Sequence, residues 1–313
     1  MTHTPVLQEK VIEALKINAS DVVVDATYGG GGHSRAILAQ LGAGGRLLAL
    51  DRDPEAVARA RRDFGGDARF DAVHAKFSQL GPVLRARGLE RRVDAMLFDL
   101  GISSLQLDEP RRGFGFRADG PLDMRMNRGE GQSAAEWLAN VGERELARTL
   151  RDFGEERFAG RIARAIKRRR PAGTADLAAA VAEAAPTRER SKHPATRAFL
   201  AIRIAVNDEL GEVRAALPQA LEALAPRGRL AVLSFHSLED RLVKRFLREE
   251  ARGDPHPPDM PVREESLHPR LKIVGKPRRA DAAEVAANRR ARSAVLRVAE
   301  KLPETSVKTP TAH

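Results

Sequence analysis

Apolar residues fall into two alternating kinds of block along this 313-residue chain. Blocks of the first kind are short, rich in Val and Leu, and mostly end in an acid. They are Val22-Val23-Val24-Asp25, Arg46-Leu47-Leu48-Ala49-Leu50-Asp51, Ala72-Val73-His74-Ala75 and Val93-Asp94-Ala95-Met96-Leu97-Phe98-Asp99. Apolar runs of this length, bounded by turn residues, predict buried strands. Blocks of the second kind have helical spacing. They run from Ser34 to Leu41, closed by Gly42; from Pro54 to Phe64, after an Asp53 cap; and from Ser78 to Arg87. Strands alternating with helices predict a parallel, doubly wound α/β sheet.

After Asp99 the rhythm breaks, and the next strand pattern is Arg229 to Phe235. The interval reads as irregular at first and then helical. Ser133-Ala134-Ala135-Glu136 is a capping box ahead of Trp137 and Leu138. Phe158, Ile162 and Ile166 recur at four-residue spacing before Pro171, and Phe199, Ile202, Val206 and Leu210 predict a further amphipathic helix. The expectation is an inserted all-helical domain, residues 104–210, within an α/β domain formed by residues 1–103 and 211–302. Leu271–Val274 and Ala294–Val298 read as closing strands, and residues 303–313 as a disordered tail.

Composition narrows the classes of function. The chain has no cysteine, which removes disulfides, thiolate metal sites and thiol nucleophiles together. This is compatible with a reducing cytoplasm. No apolar run approaches a membrane span, and Met1-Thr2-His3-Thr4-Pro5 does not open a signal peptide. His3, His33, His74, His193, His236 and His268 are scattered without metal-ligand spacing, so no metal is expected. The formal net charge is +11, distributed as +1 over residues 1–103, +4 over 104–210, −1 over 211–240 and +7 over 241–313. An excess gathered in the middle and the tail suits a polyanionic partner such as nucleic acid.

The chemistry begins at Asp25-Ala26-Thr27-Tyr28-Gly29-Gly30-Gly31-Gly32-His33-Ser34. Glycines between a strand and a helix let the backbone take positive φ and approach a ligand. Asp51 follows Gly31 by 20 residues, where a nucleotide-binding βαβ unit places a carboxylate for ribose hydroxyls. The dinucleotide fingerprint is only partly met, because Ser34 occupies the place of its third glycine. An acid before the glycines and a second acid after the next strand is instead the arrangement of methyltransferases that use S-adenosylmethionine. Thr27 stands where their first glycine usually is.

Further motifs occur in a fixed order: Asp99-Leu100-Gly101-Ile102-Ser103-Ser104, Arg112-Gly113-Phe114-Gly115-Phe116, Asp119-Gly120-Pro121-Leu122-Asp123-Met124-Arg125-Met126, His193-Pro194-Ala195-Thr196-Arg197 and Ser234-Phe235-His236-Ser237-Leu238-Glu239-Asp240-Arg241. With the glycine turn, they resemble the bacterial small-subunit ribosomal RNA cytosine-N4 methyltransferases, the MraW (RsmH) family, from about His3 to Leu302. The resemblance implies a Rossmann-like class I methyltransferase fold with a helical insertion. It also implies a cytoplasmic enzyme that uses S-adenosylmethionine to methylate N4 of a cytidine in the decoding region of 16S rRNA. Gly31, Gly32, His33, Asp51, Phe77, Asp99 and Gln106 match the positions that contact the cofactor. Oligomeric state is left open, a homodimer included.

Transfer to an exocyclic amine needs an acceptor that receives a proton late, and no covalent intermediate. Asp99 is the first candidate, with Asp123 and His236 as the others. Asp123 reads equally as a loop-ordering partner of Arg125, and His236 as a cap after the fifth strand. Phe77 reads as adenine contact or as core, and His33 as ligand contact or as cap. Asp99 is not followed by the prolines and aromatic that many amino-methyltransferases carry, so the base must be gripped elsewhere; Phe114 and Phe116 are candidates, or else simply pack the loop. Lys167-Arg168-Arg169-Arg170 reads as a phosphate clamp or as cations at a helix C-terminus. Lys276-Pro277-Arg278-Arg279 and Arg289-Arg290-Ala291-Arg292 are candidates for RNA backbone contact. The competing functions are methylation of DNA or protein, and a non-catalytic RNA-binding assembly factor.

Overall fold

The structure, a computed structural model, describes residues 5–185, 193–254 and 267–303. Its chain divides into two compact units: Met1–Asp51, Glu55–Leu100 and Val213–His313 form one, Arg52–Pro54 and Gly101–Glu212 the other. The second unit therefore begins at Gly101 and ends at Glu212, and it also takes three residues from just after Asp51.

In the first unit, helix α1 (Gln8–Leu15) precedes strand β1 (Val22–Asp25), α2 (Gly32–Leu38), β2 (Arg46–Asp51), α3 (Pro54–Phe64), β3 (Phe70–His74), α4 (Leu80–Arg85) and β4 (Val93–Asp99). The helical unit holds α5 (Ser104–Asp108), α6 (Ala134–Asn140), α7 (Glu143–Gly154), α8 (Ala159–Arg169), α9 (Thr174–Ala184) and α10 (Ala195–Asn207). Helix α11 (Glu209–Ala223) leads back to β5 (Leu224–Ser234), α12 (Ser237–Arg252), β6 (Leu271–Ile273), α13 (Ala282–Ala287) and β7 (Val295–Lys301).

The seven strands form one sheet in the order β3-β2-β1-β4-β5-β7-β6. The β1–β2, β1–β4, β2–β3 and β4–β5 pairs are parallel, and β7 runs antiparallel to both β5 and β6. That order, with one reversed strand next to last, is the class I methyltransferase version of the Rossmann-like sheet. The strands are nearly all apolar because both faces are covered. Val24, Leu48, Met96, Phe98 and Val232 pack with Leu84, Leu217 and Val243 on one face. Val23, Leu47, Ala95, Leu97 and Ala231 pack with Val11, Leu15 and Ile37 on the other.

The helical unit has its own core, in which Leu138, Leu146, Leu150, Ile162, Ile166, Leu177, Val181, Phe199 and Ile202 meet. Ser133 caps α6 as its box pattern predicts, accepting from Glu136 N at 3.2 Å while Glu136 Oε2 accepts from Ser133 N at 2.8 Å.

Several expected boundaries move. Helix α2 starts at Gly32, two residues before Ser34, because the glycine turn closes directly into its first turn. Phe77–Gln79 is a separate 3₁₀ turn ahead of α4. Leu210 does not continue the Phe199 helix: Asp208 adopts φ 48° and ends α10, so Leu210 lies on α11. Strand β5 begins at Leu224 rather than Arg229. All but the first residue of the expected tail, 303–313, lies outside the described residues.

Candidate active site

The chain leaves β1 at Asp25 and turns through Gly29 and Gly31, at φ 54° and 78°. Gly31 sits at a φ that strains any side chain, and a Cβ there would also run into the Tyr28 ring, so glycine is favoured. The turn is tied to the end of β2. Tyr28 N donates to Leu50 O at 2.9 Å, and Gly29 N donates to Asp51 Oδ2 at 2.8 Å. Asp51 thereby stands against the glycine turn with one carboxylate oxygen engaged in holding it.

Beneath the turn lies a buried polar network. Asp25 is wholly buried and accepts from Ser34 Oγ at 2.6 Å and from Thr27 N at 3.1 Å. Thr27 Oγ1 accepts from Asp99 N at 2.6 Å. The threonine thus ties the ends of β1 and β4 together, and the serine ties β1 to α2. Burial raises Asp25 above the usual carboxylate range, and the hydrogen bonds from Ser34 and Thr27 oppose this only in part.

Asp99 ends β4 beside this network. Its side chain keeps 28% of its surface open, and it lies 3.6 Å from His33 Nε2, too far for a hydrogen bond. Asp99 Oδ1 and both ring nitrogens of His33 are buried without a hydrogen-bond partner among the described residues. Desolvation, with the charges of Asp25 and Glu239, pushes Asp99 up to about 8. Desolvation pushes His33 down to about 4. Phe77, in the turn after β3, meets Phe98 edge-on with centroids 5.9 Å apart and packs against the sheet core, so it is core at least on that side.

The other expected residues, His236 and Asp123, make contacts of their own. His236 Nε2 lies 3.0 Å from Glu239 Oε1, and Glu239 Oε2 accepts from Phe235 N at 2.8 Å. Glu239, almost fully buried, is therefore the capping group at the start of α12; His236-x-x-Glu239 is the capping-box spacing, hidden by a histidine in the serine position. Asp123, in the helical unit, receives Arg125 Nε at 2.8 Å and NH2 at 3.0 Å, and Arg128 Nε at 3.3 Å. Desolvation opposes ionisation, but the hydrogen bonds and charges of these arginines prevail and hold Asp123 below its ordinary value. A carboxylate so occupied fits the loop-ordering alternative for Asp123, partner of Arg125.

Gln106 also belongs to the helical unit. Its Oε1 accepts from Ser103 N at 3.0 Å and its Nε2 donates to Asp53 Oδ2 at 2.8 Å. Arg112 NH1 donates to the same oxygen at 2.8 Å and its NH2 to Met126 O at 2.8 Å, forming a buried ion pair with no signal in spacing alone. Phe114 is buried core, whereas Phe116 lies tilted against His193 and edge-on to Phe199, with centroids 4.7 and 4.8 Å away. The Lys167–Arg170 cluster is largely structural. Lys167 Nζ donates to Leu138 O, Ala139 O and Val141 O at the end of α6, and Arg169 pairs with Asp176 and Glu183. Arg278 pairs with Glu13.

Asp25, Asp99 and Glu239 gather carboxyl groups at the carboxyl ends of β1, β4 and β5, where an open doubly wound sheet takes its ligand. Orphaned atoms on Asp99 and His33, a glycine cradle and this excess of acid suit a cationic, nucleoside-bearing cofactor. Fold and site together define a class I methyltransferase domain. The chain matches the MraW methylase family over residues 1–302 and belongs to that family. It is 54% identical over 305 residues to the ribosomal RNA small subunit methyltransferase H of Chromohalobacter salexigens, covering 96% of this chain and 92% of that protein. The same-named protein of Methylococcus capsulatus is 56% identical over 297 residues, covering 93% and 98%. Among the described residues no helix is long and apolar enough to cross a membrane.

Proposed function

We propose that this protein methylates the exocyclic N4 of a cytidine in the decoding region of 16S rRNA, in the cytoplasm, with S-adenosylmethionine as donor. The observation that carries the reading is Asp99: an unpaired buried carboxyl oxygen at the end of β4, beside a glycine turn and an unpaired, neutral His33. Gly31, Gly32, His33, Asp51, Phe77 and Asp99 hold the cofactor in this reading, and Gln106 enters by the family resemblance alone. When bound, S-adenosylmethionine supplies an electrophilic methyl group on a sulfonium.

The residues divide the remaining work. Asp51 holds Gly29 N and, in this reading, its carboxylate also accepts from the ribose hydroxyls. His33 stays neutral and so offers one donor and one acceptor. Asp99 is protonated in the unliganded site at neutral pH, and a cation beside it favours its ionised form. Ionised, it accepts the proton that leaves the cytidine amine. Attack through ring carbon C5 normally needs a cysteine to add to C6, and the chain has none. Most of the rate then comes from holding the reacting atoms in line.

The test is nucleoside mass spectrometry of small subunits from a strain lacking this protein, before and after incubation with the purified chain and S-adenosylmethionine. N4-methylcytidine is expected at one site. 5-Methylcytidine as the sole product, or preference for DNA or protein, overturns the reading. Sedimentation at assay concentration separates the monomer from the homodimer, with which this reading is compatible.

A further inference from the structure

A groove of about 320 Å³ opens beside α12, away from the glycine turn in sequence and lined wholly by the first unit. Leu247 of α12 and Val298 of β7 are buried at its base. The turn after β6 forms a wall. Val274 N donates to Val298 O at 2.9 Å and Arg278 N to Leu296 O at 3.0 Å, so both ends of the turn are pinned to β7. Residues 275–277 stand out between these pins, with Gly275 at φ 68° making the bend.

Lys244 and Arg248, one helical turn apart on α12, line this groove with Lys276 of the turn. None of the three makes an ion pair among the described residues. Several cations nearby are paired: Arg245 with Glu249, Arg270 with Glu222 and Glu250, Arg278 with Glu13, and Arg297 with Asp240. No acid lines the groove. Ile273, at its edge, keeps 44% of its surface exposed, although most large apolar side chains of the described residues are covered.

Three unneutralised cations along an apolar-floored groove fit an extended polyanion with apolar faces between its charges. We propose that this groove binds the ribose-phosphate backbone of the rRNA substrate, with phosphates at Lys244, Arg248 and Lys276 and a sugar or base face on Ile273. The proposal rests on the rRNA reading above and adds where the α/β unit grips the RNA. Within the candidate run Lys276–Arg279 it assigns a phosphate to Lys276, since Arg278 is paired with Glu13.

The test compares wild type with a Lys244→Ala, Arg248→Ala, Lys276→Ala triple variant, using small subunits that lack the modification and a short oligoribonucleotide. The variant should bind S-adenosylmethionine as wild type does, since all three side chains lie outside the cofactor set. Its slope of log affinity against log salt should fall by about 2–3, at roughly 0.7–0.9 for each phosphate no longer neutralised. Its KM for small subunits should rise while kcat at saturation holds. Arg248→Lys, which keeps the charge, should retain most of the slope. An unchanged slope on both RNAs overturns the proposal. So does loss of binding to polyglutamate with RNA binding intact, which would assign the groove to an acidic peptide. Failure of the rRNA reading would show separately, as wild type that leaves small subunits unmethylated, and the oligoribonucleotide slope would still judge the groove.

Discussion

Ser34 Oγ donates a 2.6 Å hydrogen bond to Asp25 Oδ2, and this bond explains why a serine stands where a dinucleotide-binding turn has its third glycine. That glycine permits close packing of helix on strand around a pyrophosphate. Here the close approach is used instead to satisfy a wholly buried carboxyl.

Removing the hydroxyl should therefore cost more than its volume suggests. Ser34→Ala leaves Asp25 short of a donor in an apolar setting, and stability should fall by about 1–3 kcal/mol. Urea unfolding measures this; an unchanged midpoint would show the bond to be idle.

Asp51→Ala removes both the acceptor of Gly29 N and the carboxylate proposed for the ribose. S-adenosylmethionine affinity should drop by about 1–3 kcal/mol, the scale of hydrogen bonds to a charged group. Calorimetry should also show no tight NAD binding by the wild type. The opposite preference would return the site to the dinucleotide class.

Asp99→Asn keeps shape and removes the acceptor. The saturated rate should fall by about 10²-fold or more if Asp99 receives the amine proton. In the wild type the rate should climb with pH as Asp99 ionises, and the variant should lose that limb. A full saturated rate with only a weakened cofactor constant would make Asp99 a binding residue and leave the acceptor role to another group.

Stability should depend on pH in two opposed ways. Asp99 is raised to about 8 in the fold, so its contribution is present below its ordinary value near 4 and is lost as pH rises through 8. His33 is lowered to about 4, so its contribution is present above about 6.5 and is lost as pH falls through 4. Without cofactor, Asp99→Asn should gain stability over wild type progressively from pH 4 to 8. His33→Gln should gain only on the acid side. Thermal melts across this range, with no crossing between variants, would refute the assignment.

Arg112 and Asp53 form a pair whose side chains are 2% and 5% exposed. Arg112→Met strands a buried carboxylate, and the expected loss is about 3–5 kcal/mol. Double replacement, Arg112→Met with Asp53→Asn, should recover part of it. Equal losses in single and double variants, measured by urea unfolding, would show that the pair itself is not what stabilises residues 52–54.

Much of this protein is determined by local pattern. Strands buried on both faces must be continuously apolar, so β1, β2 and β4 are legible in Val22–Asp25, Arg46–Asp51 and Val93–Asp99. A turn between strand and helix that takes positive φ favours glycine, so the run Gly29–Gly32 is legible too. Capping is a three-residue relationship, and Ser133–Glu136 announces its helix. Partnership over distance is not legible, because nothing local distinguishes a paired side chain from a free one. Only the tertiary structure gives Lys167 three carbonyls to cap and adds Arg128 to the expected pairing of Asp123 with Arg125. It gives Thr27 the N–H of Asp99 and leaves Lys244, Arg248 and Lys276 without an ion pair among the described residues. Charge and residue type are written along the chain, but a carboxyl's protonation and a cation's availability depend on what burial removes and what folding places within a few ångströms.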